Sequence, residues 1–184
     1  MKVIDTFAIV EEHLYSVQYD NQEVDEWQRL FNLWLEDTDY LRSFFEEHKE
    51  DLLYGYYKGI TIDEAIKKTK REAKYLQGEI LKFATDKENS LSGLFKPLDN
   101  RISFNPKSNQ YSSNNSYEKN KSRQHWLRIY AIRIDHNLFV VSGGAIKLTE
   151  KMDRPHLVME LEKLELTRNF LIDRDDDLET FELF

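Results

Sequence analysis

The chain has 184 residues, no cysteine and a formal net charge of −8. The lack of cysteine excludes disulfides, thiolate nucleophiles and Cys-ligated zinc, and it suits a reducing compartment. No stretch approaches about 18 consecutive apolar residues, so we expect a cytoplasmic protein with neither a signal peptide nor a membrane span. The length predicts one domain over residues 1–184.

Charge is distributed unevenly along the chain. Residues 96–155 hold 11 Lys/Arg against 5 Asp/Glu, whereas residues 1–95 hold 12 against 20 and residues 156–184 hold 3 against 9. Clustered cations create a local field that attracts polyanions, whatever the sign of the total charge. The central segment is therefore the first place to look for a binding function.

The N-terminal part predicts strands followed by two helical pieces. Residues 7–19 include an alternating run typical of one or two short strands. From Glu23 the apolar residues follow three- and four-residue steps, and Asp37 is placed to cap a second helical piece. The large apolar side chains of these pieces are aromatic: Trp27, Phe31, Trp34, Phe44 and Phe45. They form either core or a surface for a partner protein.

The strongest helix signal begins at Thr61. Thr61 and Glu64 have capping-box spacing, and apolar residues recur from Ile62 to Phe83. The basic residues of this helix lie largely off the apolar face: Lys67, Lys68, Lys70, Arg71 and Lys74. A solvated surface is the preferred interpretation, because acidic residues such as Glu72 and Glu79 dilute the charge. A polyanion-binding surface is the alternative.

Residues 103–123 are rich in Ser and Asn and nearly devoid of aliphatic side chains. This composition predicts a flexible basic loop inside the domain. The loop carries Lys119, Lys121 and Arg123 near its end. It is either an arm that embraces nucleic acid or a tolerated insertion.

A strand pair follows this loop. Residues 126–134 are mostly apolar at both parities, as in a central strand, and Asp135-His136-Asn137 predicts a hairpin turn before the strand that starts at Leu138. Gly143-Gly144 predicts a bulge or a close backbone approach. Pro155 suits the first turn of a final helix that reaches Leu171. We therefore expect an α+β fold: a mixed or antiparallel sheet with N-terminal helices on one face and a C-terminal helix.

Familiar site motifs are missing from the sequence. It has no dinucleotide- or phosphate-binding glycine loop and no nucleophile elbow, and its five histidines form no pair at metal-ligand spacing. We accordingly predict no metal and no cofactor. What remains is a set of cations with neighbouring rings on the late strands: Arg128, Tyr130, Arg133, Lys147 and His125, flanked by Lys151 and Arg154. Cations beside a ring on a sheet suit phosphate contact and base stacking, although each also suits an ordinary surface or core role.

This region resembles the toxins of the RelE/HigB superfamily, in which an Arg-bearing strand is followed by an apolar strand, a lysine turn, a proline and a last helix. The matching stretches are residues 127–134, residues 138–151 and Arg154-Pro155 with the helix to Leu171. Residues 94–98 are similar to the short segment before the family's sheet. The chain departs from the family in its length, its acidic total charge, its extra basic loop and Leu148, which stands at the second lysine.

The resemblance implies a toxin of a toxin–antitoxin module, a metal-independent endoribonuclease or RNA-binding protein that acts on mRNA, including ribosome-bound mRNA, and pairs with an antitoxin. It implies that Lys147 binds phosphate, that Arg128 and Arg133 stabilise charge, and that Tyr130 or His125 assists proton transfer. Contacts to RNA would come from Lys119, Lys121, Arg123, Lys151 and Arg154. The alternatives are a non-catalytic protein-interaction module and an enzyme acting on a small anionic substrate. The RNA hypothesis requires Arg128, Arg133 and Lys147 to share one open cleft.

Overall fold

The computed structural model describes residues 1–55, 57, 59–86, 90–98, 110–113, 125–135 and 137–176. The helices are α1 (Glu26–Leu35), α2 (Thr38–Glu47), α3 (Lys49–Tyr54), α4 (Ile62–Thr85), α5 (Leu91–Leu94) and α6 (Pro155–Asp176). The strands are β1 (Val3–Val10), β2 (Leu14–Tyr19), β3 (Phe95–Pro97), β4 (Gln110–Ser113), β5 (Leu127–Asp135) and β6 (Leu138–Ile146).

The strands form one mixed sheet of six strands in the order β1-β2-β6-β5-β4-β3. All neighbours are antiparallel except β2 and β6, which run parallel from Leu14 opposite Phe139 to Ser16 opposite Val141. The predicted hairpin is confirmed as β5 and β6. The α+β prediction is therefore confirmed.

The two faces of the sheet carry different helices. Leu127, Ile129 and Ala131 of β5 pack in the main core with residues of α1, α2 and α4. Tyr130 and Ile132, of the opposite parity, pack with leucines of α6. Since successive strand residues point to opposite faces, β5 is buried on both sides, as its apolar run predicts.

The aromatic residues of α1 and α2 are core residues. The exposed fractions of Trp27, Phe31, Trp34, Phe44 and Phe45 range from 0% to 8%. The rings pack edge to face, as between Phe31 and Trp34 with centroids 5.7 Å apart. The hypothesis that these rings form a partner-binding surface is wrong, because the sheet and α4 already cover them.

Helix α4 begins as predicted. The Thr61 side chain accepts a hydrogen bond from the Glu64 backbone N–H, and the Glu64 carboxylate accepts one from the Thr61 backbone N–H. This pair of bonds satisfies donors that a helix start otherwise leaves without partners. The cap fixes the residue at which α4 starts. It therefore helps to determine which residues of α4 contact β5.

The expectation of a continuous loop over 103–123 is wrong for four residues. Gln110–Ser113 form β4, which pairs with β5 on one side and β3 on the other. Without β4, the edge of β5 that faces away from β6 would leave its backbone N–H and C=O groups unpaired. Even a polar segment such as β4 can satisfy these groups. The rest of the predicted loop lies outside the described residues.

Candidate functional site

Arg128 and Lys147 meet at the end of the sheet where β5 begins and β6 finishes. Arg128 is paired with Ala145, and beyond Ile146 the backbone N–H of Lys147 donates to Trp126 O at 2.7 Å. Both side chains are half-buried. We call these two residues the cation pair.

The cation pair is held by backbone carbonyls. Arg128 Nη1 donates to the carbonyls of His125 and Leu127 at 3.1 and 2.8 Å. Lys147 Nζ donates to Thr149 O at 2.9 Å and also to Glu150 O. Partial burial, and then the charge of Arg128, lower the pKa of Lys147 below its ordinary value. The two positive charges therefore repel each other.

Neither member of the cation pair makes a salt bridge with any residue in the described part of the chain. The carboxylates of Glu150 and Asp153 favour the charged form of Lys147 only weakly, after the opposing effects of burial and Arg128. Arg154 differs, because its guanidinium holds both carboxylate oxygens of Asp51 at 2.8 and 2.6 Å. The cation pair thus retains positive charge that no salt bridge from the described residues neutralises.

The N-terminus of α6 lies beside the cation pair. His156, in the first turn of α6, has Nε2 3.1 Å from Ile146 O, the carbonyl directly before Lys147. The N-terminus of a helix carries partial positive charge from aligned peptide dipoles. Helix α6 has 22 residues, so its start adds to the positive potential around Lys147.

Tyr130 does not serve the predicted proton transfer. It is 1% exposed and packs against α6, and its hydroxyl donates to Met152 Sδ at 3.4 Å. Burial raises the pKa of Tyr130 above its ordinary value. A phosphate in solvent does not reach this hydroxyl, so the catalytic assignment of Tyr130 is wrong in this geometry.

His125 presents its ring to α4. Its Nδ1 lies 3.7 Å from Glu72 Oε1, and its ring is parallel to that of Tyr75. Glu72 also accepts from the backbone N–H of Trp126 at 3.0 Å and pairs with Lys68. The backbone carbonyl of His125 accepts a hydrogen bond from Arg128. The ring therefore faces α4 and not the cation pair, so His125 is not positioned for the predicted proton transfer.

Arg133 lies far from the cation pair. Its cross-strand partner is Phe139, which belongs to the main core on the face covered by α1, α2 and α4. Arg128 pairs with Ala145 on the opposite face, which α6 covers. Five residues of strand at about 3.3 Å each separate the two arginines by about 16 Å. Arg133 Nε donates instead to Asp135 O. The expectation that Arg133 shares one cleft with Arg128 and Lys147 is wrong.

The predicted RNA-contact residues divide into three groups. Lys151 is exposed in the turn before α6. Arg154 is bound to Asp51. Lys119, Lys121 and Arg123 lie outside the described residues.

A second charged cluster, which the sequence patterns did not predict, fills the crevice between β2 and β6. After the parallel pair, β2 leads to α1 and β6 leads to α6, and these helices lie on opposite faces of the sheet. Crevices of this kind, beyond the carboxyl ends of neighbouring parallel strands, are common ligand sites in α/β sheets. Here four side chains occupy the crevice, and we call them the ion cluster: Glu26, Arg29, Glu160 and Lys163.

The members of the ion cluster form salt bridges with one another, and the centre of the cluster is closed to solvent, although Glu160 Oε2 has no hydrogen-bond partner among the described residues. Lys163 Nζ lies 3.3 Å from Glu26 Oε1 and 2.9 Å from Glu160 Oε1, and Arg29 Nη2 lies 2.8 Å from Glu26 Oε2. Glu26, Glu160 and Lys163 are at most 5% exposed. Burial raises the pKa of Glu160 to about 7, against the lowering effect of Lys163. This arrangement is a structural ion network with little access for a ligand.

Gly143 shows how tightly the ion cluster is packed. A Cβ at Gly143 would overlap Glu160 Oε2, and a Cβ at Gly144 would come within 2.7 Å of Arg128 O. The predicted close backbone approach at Gly143-Gly144 is therefore confirmed. These glycines are the one sequence signal that pointed toward the crevice.

No family model, no curated protein and no solved structure matches this chain. The RelE/HigB relationship therefore stays a prediction. In the described part of the chain, no helix is long and apolar enough to cross a bilayer. Within the same residues, no group of three or more His, Asp or Glu side chains is arranged to hold a metal ion.

Proposed function

We propose that this protein binds RNA by its phosphates at the cation pair. The observation that carries the proposal is two adjacent, half-buried cations that form no salt bridge among the described residues, at the start of a long helix. Like charges held together in a partly desolvated place destabilise each other until an anion arrives. Phosphate can bind both cations, because the planar guanidinium of Arg contacts two of its oxygens and the ammonium of Lys attracts it as a point charge.

RNA is favoured over a small anion by the charge around the site. The cation pair belongs to the segment 96–155, the only one of the three compared segments in which Lys and Arg outnumber Asp and Glu. Exposed Lys151 extends the positive charge along the surface. A polyanion contacts several such charges at once, whereas a single small anion contacts few. The resemblance to RelE/HigB toxins points to the same class of ligand.

Cleavage of the bound RNA, as in those toxins, would depend on Lys147. Arg128 and Lys147 would stabilise charge on a phosphorane, and such stabilisation is often the largest contribution to a reaction of this kind. In this reaction the 2′-oxygen attacks phosphorus and its proton passes to water, while the bond from phosphorus to the 5′-oxygen breaks. The leaving 5′-oxygen needs a proton, and neither the Tyr130 hydroxyl nor the His125 ring faces the pair. Lys147, whose pKa burial and Arg128 lower, is the predicted group that remains at the site to give that proton.

RNA affinity of matched arginine and lysine variants tests the binding proposal. Fluorescence anisotropy with a labelled mRNA fragment at low salt should show binding by wild type. The double variant Arg128→Ala/Lys147→Ala should bind at least about 10-fold more weakly, because two phosphate contacts are lost. Arg133→Ala, on the same strand but the other face, should stay within about 2-fold of wild type. Equal losses in both variants, or none in either, would contradict the proposal.

The cleavage step has its own test. Wild type incubated with the RNA in EDTA should release fragments, and Lys147→Arg should bind RNA yet cleave at least about 100-fold more slowly, because arginine does not give up its proton. Cleavage by Lys147→Arg at the wild-type rate would contradict the role of Lys147. Absence of cleavage by wild type would leave the protein as an RNA-binding protein only.

The toxin assignment predicts a cellular effect as well. Induced expression of wild type should arrest growth, and Arg128→Ala/Lys147→Ala should not, at equal protein levels. Co-expression of a neighbouring gene that encodes an antitoxin should relieve the arrest. Arrest by the double variant as strong as by wild type would show that another surface is responsible.

A further inference from the structure

Helix α4 carries a basic stripe that the fold leaves facing solvent. Lys67, Arg71 and Lys74 are exposed and recur at helical spacing, and none makes a salt bridge among the described residues. The neighbouring cations are engaged, since Lys68 pairs with Glu72 and Lys70 Nζ donates to Thr38 Oγ1 at 2.8 Å. The stripe is therefore a distinct group of cations on one side of α4.

Glu72 and Glu79, the acidic residues expected to offset the positive charge of α4, are not fully exposed beside the basic stripe. Glu72 is 6% exposed and is directed inward, where it accepts from the backbone N–H of Trp126 and contacts Lys68 and His125. Glu79 lies more than a turn beyond Lys74 and is partly buried. The field outside the stripe is accordingly more positive than the composition of α4 indicates.

Tyr75 stands between the basic stripe and the cation pair. It follows Lys74 and is 49% exposed. Its ring is parallel to that of His125, with an angle of 8° and centroids 6.3 Å apart. The His125 carbonyl in turn accepts the Arg128 guanidinium at 3.1 Å. His125 thus links the two regions, because its ring faces Tyr75 on α4 and its carbonyl accepts Arg128 of the cation pair.

We propose that an unpaired RNA segment bound at the cation pair continues past His125 to α4, with Tyr75 stacking on one base while Lys67, Arg71 and Lys74 contact phosphates. The proposal rests on RNA binding at the cation pair and adds the class of RNA: single-stranded. A half-exposed ring presents an apolar π-face that an unpaired base covers, and the bases of a duplex are already stacked on each other. Phosphate contacts next to the ring hold the strand without reading its sequence.

The ring of Tyr75 also has a structural contact, to His125, so the test must separate stacking from folding. Tyr75→Ala removes the π-face and Tyr75→Phe keeps it. The matched control is Phe7→Ala, which removes a ring that is 41% exposed on β1, the outermost strand at the far edge of the sheet. Thermal unfolding of each variant by circular dichroism checks that the fold is retained.

The measurement is anisotropy with a labelled unpaired 12-nucleotide RNA and with a blunt duplex of the same length. Tyr75→Ala should weaken binding of the unpaired RNA by roughly 10-fold, as loss of one stacked base does, and change duplex binding by less than about 2-fold. Tyr75→Phe and Phe7→Ala should match wild type on both. Alanine at all three stripe positions (Lys67, Arg71 and Lys74) should lower the affinity for the unpaired RNA and its salt dependence.

The outcomes separate this inference from the proposed function. If Arg128→Ala/Lys147→Ala weakens RNA binding but Tyr75→Ala binds the unpaired RNA as wild type does, the stacking role is wrong and the phosphate site stands. If Tyr75→Phe loses as much affinity as Tyr75→Ala, the ring does not act as a stacking surface. If the cation-pair variant binds like wild type, the proposed function and this inference both fail.

Discussion

The cation pair and the ion cluster contain the same cationic residue types in opposite settings. Each has one arginine and one lysine. In the ion cluster these two face Glu26 and Glu160 within 3.3 Å, and the group is closed to solvent at its centre. In the cation pair the arginine and lysine are half-open and make no salt bridge among the described residues. The difference separates a buried charge that the chain itself matches, which serves the fold, from a charge that the described residues leave unmatched, which we propose serves a ligand.

The topology explains why the ion cluster exists. Helices α1 and α6 leave the parallel strands β2 and β6 toward opposite faces, and the strands pair over only three residues. The crevice beyond them is filled by side chains from both helices, with Glu26 on α1 and Lys163 on α6. The ion cluster therefore joins the two faces of the sheet across a place where the sheet itself is incomplete.

Removal of the cation at the centre of the ion cluster should have the largest effect on stability. Lys163→Met leaves Glu26 and Glu160 buried without their shared partner, so the free energy of unfolding should fall by about 3–5 kcal/mol. Urea denaturation followed by circular dichroism measures it. The control Lys49→Met, at an exposed position, should change the same quantity by less than about 0.5 kcal/mol. A loss below about 1 kcal/mol for Lys163→Met would contradict the structural role.

The protonation of Glu160 should make stability depend on pH. The folded-state pKa of Glu160, about 7, is above its ordinary value of 4.5. The folded protein therefore holds a proton that the unfolded chain releases, and this contribution to stability is lost as the pH rises from 4.5 through 7. By linkage the loss is about 3 kcal/mol. Unfolding free energies across this range, in wild type and in Glu160→Gln, should show the slope disappear in the variant.

Other groups also make the unfolding free energy depend on pH, so the effect of Glu160 has to be obtained by comparison with Glu160→Gln. The pKa of His156 is lowered by burial and by His48, so its contribution has the opposite sign and is lost as the pH falls below 6.5. Glu26 has a lowered pKa, and its contribution changes only below 4.5. The difference between wild type and Glu160→Gln isolates the single group. An unchanged slope in Glu160→Gln would show that Glu160 is not the source.

A methyl group at Gly143 should disturb the ion cluster by overlap with Glu160. Gly143→Ala is expected to lower the unfolding free energy by about 2 kcal/mol, in the usual range for overpacking. The double variant Gly143→Ala/Glu160→Ala relieves the overlap, so a double-mutant cycle should give a favourable coupling of about 1 kcal/mol or more. Additive effects would mean that the strain lies elsewhere in β6.

The elements that could be predicted from the sequence are those that local pattern determines. The capping box at Thr61 and the apolar run of β5 each specified their element, because the hydrogen bonds and the burial that they require lie within a few residues. The ion cluster could not be predicted in this way, since Glu26 and Lys163 are 137 residues apart and meet only through the topology. Tyr75 was missed because its exposure depends on how α4 packs against β5.

The error about Arg133 has a different origin. Strand parity alone places Arg128 and Arg133 on opposite sides of β5, and the sequence shows this directly. They were first grouped as cations on the late strands, and the resemblance then assigned both to charge stabilisation. The family pattern supplied a role, and the alternation of the strand contradicted its geometry.

The salt dependence of RNA binding tests the contrast between the two charged regions most directly. Affinities of wild type, Arg128→Ala/Lys147→Ala and Arg133→Ala for one unpaired RNA are measured from about 50 to 200 mM salt. If both cations contact phosphate, the double variant loses about 1.4 from the magnitude of the slope of log K against log salt, and Arg133→Ala keeps the wild-type slope. Equal slopes for wild type and the double variant would contradict the account, because the unmatched cations would then release no counterions on binding.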